Sequence, residues 1–152
     1  MITMKAKYAL KALGRLALAP PETPVLIADI AEQEGIPRKF LELILAELRQ
    51  HGFLHSRKGR GGGYLLAKKP EEITIAAVLR VLDGPIAPVS CLSRTAYQRC
   101  AECRNETTCA VRLVLKDAHA ASLHVLETTT LADMVRRAAE EGEPPRVLRY
   151  SI

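Results

Sequence analysis

"VLIADIAEQEGIPRKFLELILAELRQHGFLHSRKGRGGGYLL" occupies residues 25–66 and decides the fold. Leu26, Ile27, Ile30 and Ala31 recur at helical spacing and predict a short amphipathic helix. Gly35 marks a tight turn, and Pro37 suits the first position of a new helix. Leu41, Ile44, Leu45 and Leu48 then repeat every three or four residues up to Gly52. Two helices joined by a short glycine-containing turn form the helix-turn-helix pattern. Phe53–Leu54 and Tyr64–Leu65–Leu66 predict two short strands around a basic, glycine-rich turn. A helix-turn-helix followed by such a hairpin is a winged helix. "GRGGG" lacks the strand-to-helix context and spacing of a nucleotide-phosphate loop, so that reading is rejected.

The segments on either side extend this frame. Thr3 predicts the cap of a first helix that ends before Pro20–Pro21. The basic start and apolar run of that segment imitate a signal peptide, but Lys11 and Arg15 interrupt the run. It is read as a helix of the mature chain, and the protein as cytoplasmic, with no stretch approaching a membrane span. Ile75, Val78, Leu79 and Leu82 predict a short helix ending at Asp83–Gly84–Pro85. Val111, Val114, Ala118, Ala121 and Val125 step by three and four along a long helix, as in a coiled-coil seam, and suggest a homodimer. The alternative is a helix packed on its own domain. Thr130 and Asp133 signal a capping box for a last helix.

The expected fold is mainly α with a small β-hairpin, and the chain divides into four parts. Residues 1–84 form the winged helix-turn-helix domain and 85–109 a cysteine-containing loop. Residues 110–141 form the dimerisation helices, and 142–152 a tail. Aromatic residues make up only 4% of the chain, so the core must be aliphatic, which suits helices.

The net charge of +5 is unevenly spread. Residues 1–70 carry 12 Lys and Arg against 6 Asp and Glu, whereas residues 71–152 carry 10 against 11. The N-terminal half is therefore the expected contact for a polyanion. Arg38 and Lys39 open the second helix of the pair, and Glu42 follows on its exposed side. In a recognition helix, such N-terminal residues reach base edges in the major groove, and Glu42 could accept from a cytosine amino group. Arg57, Lys58 and Arg60 on the wing, with Lys5 and Lys7 on the first helix, are expected to contact phosphates or a minor groove. No Ser–His–Asp or paired-carboxylate arrangement stands out, and no enzymatic centre is expected.

All four cysteines fall within "CLSRTAYQRCAECRNETTC", residues 91–109, separated by eight, two and five residues. In a reducing compartment, such a cluster points to metal or redox chemistry before structural disulfides. Thiolates hold iron–sulfur clusters, and four of them close a site. Zinc also accepts four thiolates, although only Cys100 and Cys103 make a short pair. Arg94, Arg99, Arg104 and Arg112 flank the thiols; their charge favours thiolates and would equally prime an oxidation switch.

"IADIAEQEGIPRKFLELILAELRQHGFLHSRKGRGGGYLLAKKPEEITI", with "KAKYALKAL" before it and "VLDGP" after it, resembles the Rrf-type winged-helix transcription regulators, above all their iron–sulfur members. The resemblance spans about residues 3–134, and the "GGGYLL" wing together with thiols just before a long helix is its specific part. It implies a dimeric regulator that binds a palindromic double-stranded DNA operator, its long helices crossing at the dimer contact. It also implies an iron–sulfur cluster, 2Fe–2S or 4Fe–4S, held by cysteines at the base of that helix. Cys91, Cys103 and Cys109 match the family positions best, and Cys100 is an additional thiol, a fourth ligand or a spare. Some members use a histidine three positions after the last cysteine, where this chain has Arg112; others use an acidic residue near the N-terminus, where it has Lys7. The alternatives are a winged-helix regulator with a thiol switch or zinc site, and an electron-transfer protein docking an acidic partner.

Overall fold

The computed structural model describes residues 2–142; residues 143–152, most of the expected tail, lie outside the described residues. Helix α1 (Met4–Leu18) is capped by Thr3, whose side chain accepts from the Ala6 N–H. Its buried stripe is narrow in volume: Ala6, Ala9 and Ala12 sit beside Leu13 and Leu16. Small side chains there let neighbouring helices approach closely. α2 (Ile27–Glu34) ends at Gly35, which adopts φ 64° and donates back to the Ala31 and Glu32 carbonyls. The chain turns at once into α3 (Arg38–Gln50). Pro37, expected as the first helical residue, is the cap instead, and its carbonyl accepts from Leu41 N–H at 3.0 Å. Leu41, Ile44, Leu45 and Leu48 are fully buried, which makes α3 the centre of the core.

β1 (Leu54–Arg57) and β2 (Gly63–Leu66) pair antiparallel in the register Leu54↔Leu66 to Arg57↔Gly63. Phe53, expected in the first strand, lies just before it in the core. Val25 adds a single bridge to Tyr64, with N–H to O distances of 2.8 and 2.9 Å, so the wing is stitched to the chain ahead of α2. Side chains could not fit at the end of this turn. A Cβ on Gly62 would come within 2.2 Å of the Arg57 carbonyl oxygen, and one on Gly63 within 2.3 Å of that of Val25.

α4 (Ile75–Asp83) is capped by the Thr74 hydroxyl, which accepts from Ala77 N–H at 3.2 Å. It packs on α1 and on α5 (Ala110–Thr128). α6 (Leu131–Gly142) packs on α1, with Met134 near Gly14, and buries Leu131 in the core. Its expected capping box is present: Thr130 N–H donates to Asp133 and Asp133 N–H donates to the Thr130 hydroxyl, at 2.9 and 3.1 Å. The α5–α6 junction is pinned to the start of α4, where Ile75 N–H reaches the Thr129 carbonyl and Leu131 N–H the Ile73 carbonyl. Among the described residues no helix is long and apolar enough to cross a membrane.

α5 buries only Leu123. Every position of the expected seam, Val111, Val114, Ala118, Ala121 and Val125, is exposed, and Val114 reaches 75%. The helix therefore packs on its own chain through a different side, that of Leu123 and Leu126.

Candidate DNA-binding face and cysteine site

Burial of Leu41, Ile44, Leu45 and Leu48 forces the opposite side of α3 outward. Arg38, Lys39, Glu42, Leu43, Ala46 and Arg49 are all exposed there. Arg38 Nε lies 3.3 Å from Glu42 Oε1, an i,i+4 pair in which both side chains are more than half exposed. The two residues expected to read DNA separately are thus partnered with each other. Leu43 is 68% exposed on the same side. Sequence reasoning passed over it because it sits among buried leucines; its departure from their three-four spacing was the available signal.

The wing is joined to α3 by Arg49 Nη1, which donates to Ser56 Oγ at 3.0 Å. Arg57 leans toward the loop before α2, where Glu22 is 3.9 Å away. Lys58 and Arg60 are exposed and take part in no ion pair among the described residues. The structure separates Lys5 from Lys7, as residues two apart on a helix must be. Lys5 Nζ is 2.6 Å from Glu47 of α3, whereas Lys7 lines a groove of about 720 Å³ between α1 and α6 beside Met134 and Ala138. His51 Nδ1–H donates to the Glu47 carbonyl oxygen at 2.9 Å, and His55 is exposed on the wing.

All four cysteines line one cleft of about 560 Å³ at the base of α5, together with Arg104 and Arg112. Cys91 is 7% exposed, Cys100 is open to solvent, and Cys103 and Cys109 are intermediate. The segment is held by its own polar groups. Ser90 carbonyl accepts from Gln98 N–H at 3.2 Å, Cys100 carbonyl from Cys103 N–H at 3.1 Å, and Arg99 donates to the Cys103 and Arg104 carbonyls. Tyr97 bonds Glu106, which raises the phenol pKa, mainly through that bond. Cys109 is the cap residue of α5. The Cys100 thiol pKa is raised, first by desolvation and then by the charge and hydrogen bond of Cys91.

Whether these residues suit an iron–sulfur cluster can be judged from the cleft itself. Among the described residues no three His, Cys, Asp or Glu side chains form a group that could hold a metal ion. The four thiols nevertheless line one cleft. Arg112 Nε is buried with no hydrogen-bond partner, and Arg112 belongs to the same wall. A buried unpaired cationic donor calls for an acceptor, and a thiolate-bound iron–sulfur group carries negative charge. The donor set fits. His119 Nε2 is also buried without a partner, but on α5 beside Asp83 and Leu115, in a separate cavity of about 430 Å³.

A helix-turn-helix with a basic wing, its recognition helix backed by the core and its polar side open, defines a winged-helix DNA-binding protein. The comparisons agree and go one step further. The Rrf2 family profile, described as an iron-dependent transcriptional regulator, matches residues 2–137. An rrf2-like HTH-type transcriptional regulator of Rhodobacter capsulatus is 46% identical over 138 residues, covering 89% of this chain and 92% of that protein. IscR of Serratia proteamaculans is 33% identical, over 88% of this chain and 78% of its own length. Among solved structures, CymR, described as the global cysteine regulator of B. subtilis, superposes with a TM-score of 0.76 at 31% identity, covering 90% of this chain and 97% of its own. T. potens IscR gives 0.72 at 28% identity, covering 95% and 92%. This chain belongs to the Rrf2 family of DNA-binding transcription regulators.

Proposed function

We propose that the protein is a homodimeric regulator whose affinity for a palindromic operator reports the state of a cysteine-ligated iron–sulfur cluster. The observation that carries this reading is the cleft at the base of α5, with four thiols around it and the unpartnered Arg112 Nε in its wall. Likeness to two IscR proteins supports it. The exposed apolar face of α5 supports the dimer, since water-exposed valines at helical spacing are best covered by a second copy.

In the dimer, two copies of α3 would enter successive major grooves about 34 Å apart. Arg38 and Lys39 would meet base edges or adjacent phosphates, and Glu42 would exchange its pairing with Arg38 for a cytosine amino group. Leu43 offers an apolar contact for a thymine methyl. Lys58, Arg60 and Arg57 would neutralise flanking phosphates, with Lys5 and Lys7 as secondary contacts. Cys91, Cys103 and Cys109, with Cys100, would hold the cluster. When bound, it supplies a centre whose charge and integrity change with iron, oxygen or nitric oxide supply. Arg112 would balance its charge from the wall. The cysteine segment is bonded to α5 and α4 through Arg94, Glu127 and Arg80, so ordering that segment would bias how α4 sits on α1.

The test compares loaded and cluster-free protein on one fluorescent palindromic fragment at fixed salt. A difference in Kd of about fivefold or more is expected, the lower end of ordinary allosteric coupling. Equal affinities would contradict the sensing role while leaving the DNA-binding one in place.

A further inference from the structure

The groove between α1 and α6 has an apolar floor and a charged edge. The floor exists because side chains there are small. Gly14 lets α6 approach, so that a Cβ on it would meet Met134 Cε at 3.1 Å, and Ala138 and Ala139 leave the space beyond unfilled. Its volume of about 720 Å³ lies within the roughly 300–1,000 Å³ of small-molecule sites, which are mostly apolar with a few placed polar groups. The groove is long rather than broad. It follows α1 from Met4 to Leu18, about 21 Å at about 1.5 Å per residue. Apolar side chains stand open at both ends, with Met4 54% and Leu18 60% exposed. A flexible alkyl chain matches that shape better than a flat ring system.

The polar atoms gather along one edge. Lys7, Lys11 and Arg15 stand one turn apart on α1, and Glu34 is the only carboxylate among the lining residues. Glu34 Oε1 accepts from Arg15 Nη2 at 2.7 Å and from Nε at 3.0 Å. Lys11 donates to the Glu34 carbonyl, and its Nζ lies 3.6 Å from Oε2. Lys7 is exposed and takes part in no ion pair among the described residues. Three cations therefore face one carboxylate, and the edge attracts an anion.

We propose that this groove binds a long-chain carboxylate, its alkyl chain along the floor and its carboxylate between Lys7 and Lys11. No residue of α5 or of the cysteine segment lines it, so the site is separate from the cleft and from the apolar α5 face. Occupation also reaches the DNA-binding unit. Glu34 ends α2, and Gly35 turns the chain into α3. A ligand carboxylate competes with Glu34 for Lys11, one of two side chains by which α1 holds that turn. Operator affinity should then fall by about fivefold. That readout rests on the DNA-binding role, whereas the binding site does not.

Titration calorimetry of the full-length protein with laurate, kept below its micelle concentration, tests the site. Saturation at one laurate per chain is expected. Decanoate should bind about tenfold more weakly, the worth of two methylenes. Dodecanol, with the same chain and no charge, should lose about tenfold, and so should laurate on Lys7→Glu. Ala138→Trp should fill the groove and abolish binding; Ala138 is exposed, so its replacement should leave the fold intact. Laurate should weaken operator binding by the parent and leave that of Ala138→Trp unchanged. Uptake that never saturates, equal uptake of laurate and dodecanol, or full binding by Ala138→Trp would overturn the proposal. Uptake by a chain made monomeric through Val114→Asp, but not by the parent, would also overturn it, because a second copy would then cover the groove. Saturable, charge-dependent binding with unchanged operator affinity would uphold the site and remove its hold on the turn.

Discussion

Arg94 of the cysteine segment donates to Glu127 of α5 at 3.2 Å, and the other oxygen of that carboxylate is bonded by Arg80 of α4. One residue thus ties the proposed sensor segment to the helix that packs on α1. Glu127 is held below the usual carboxylate range, first by the Arg80 hydrogen bond and then by the charge of Arg94, against some desolvation. Glu127→Gln should keep the fold and the DNA contacts but uncouple them from the cysteine segment. The ratio of loaded to cluster-free DNA affinity should fall by about fivefold or more, toward unity. Titrations of both forms on one operator measure it. An unchanged ratio would exclude Glu127 as a coupling residue.

Arg60 lies on the wing with no acidic partner among the described residues. Arg60→Ala should weaken binding to all DNA sequences alike and reduce the slope of log K against log salt by about 1. If the slope is unchanged, Arg60 makes no phosphate contact.

Glu42→Ala should act on sequence choice more than on affinity. It removes an acceptor and also frees Arg38, 3.3 Å away, to bind phosphate on any sequence. Non-operator binding should strengthen while the preference for the operator falls by about tenfold, a value within the usual worth of one base contact. Uniform loss across a panel of operator variants would show that Glu42 reads no base.

Val114→Asp introduces charge at the most exposed large apolar side chain of α5. Monomer stability should change by no more than about 0.5 kcal/mol, because the side chain touches little of its own chain. Sedimentation should show a monomer, and operator affinity should fall by about 100-fold or more as one of two half-sites is lost. A variant that stays dimeric would place the interface elsewhere.

The α6 cap supplies a pH test. Asp133 is lowered to about 2, first by the Thr130 backbone N–H, then by Arg136 and the Thr130 hydroxyl. Its folded pKa lies below its ordinary value near 4, so its stabilisation is present above about pH 4 and is lost as pH falls toward about 2. Asp133→Asn should lower Tm at neutral pH, and the gap from the parent should close over that acidic window. A gap independent of pH would contradict the ionic cap.

The winged-helix frame was legible because its signals are local. Thr3, Gly35 and the Thr130–Asp133 pair act within four residues of where they stand, and the burial of Leu41, Ile44, Leu45 and Leu48 follows from their spacing alone. What stayed hidden links residues distant in the chain. Val25 joins Tyr64, Lys5 joins Glu47, Arg49 joins Ser56, and Glu127 gathers Arg80 and Arg94. Charge counting could not separate Lys5 from Lys7, since the side each faces depends on which helix covers it.

The central claim is that the thiols at the base of α5 hold an iron–sulfur cluster. Purification without oxygen, followed by a visible spectrum and counts of iron and acid-labile sulfide, tests it most directly. The expected result is a coloured protein with iron and sulfide in near-equal amounts, bleached by Cys103→Ala or Cys109→Ala. A colourless protein that takes up neither iron nor sulfide under reconstitution would contradict it, leaving a winged-helix regulator that senses through its thiols alone.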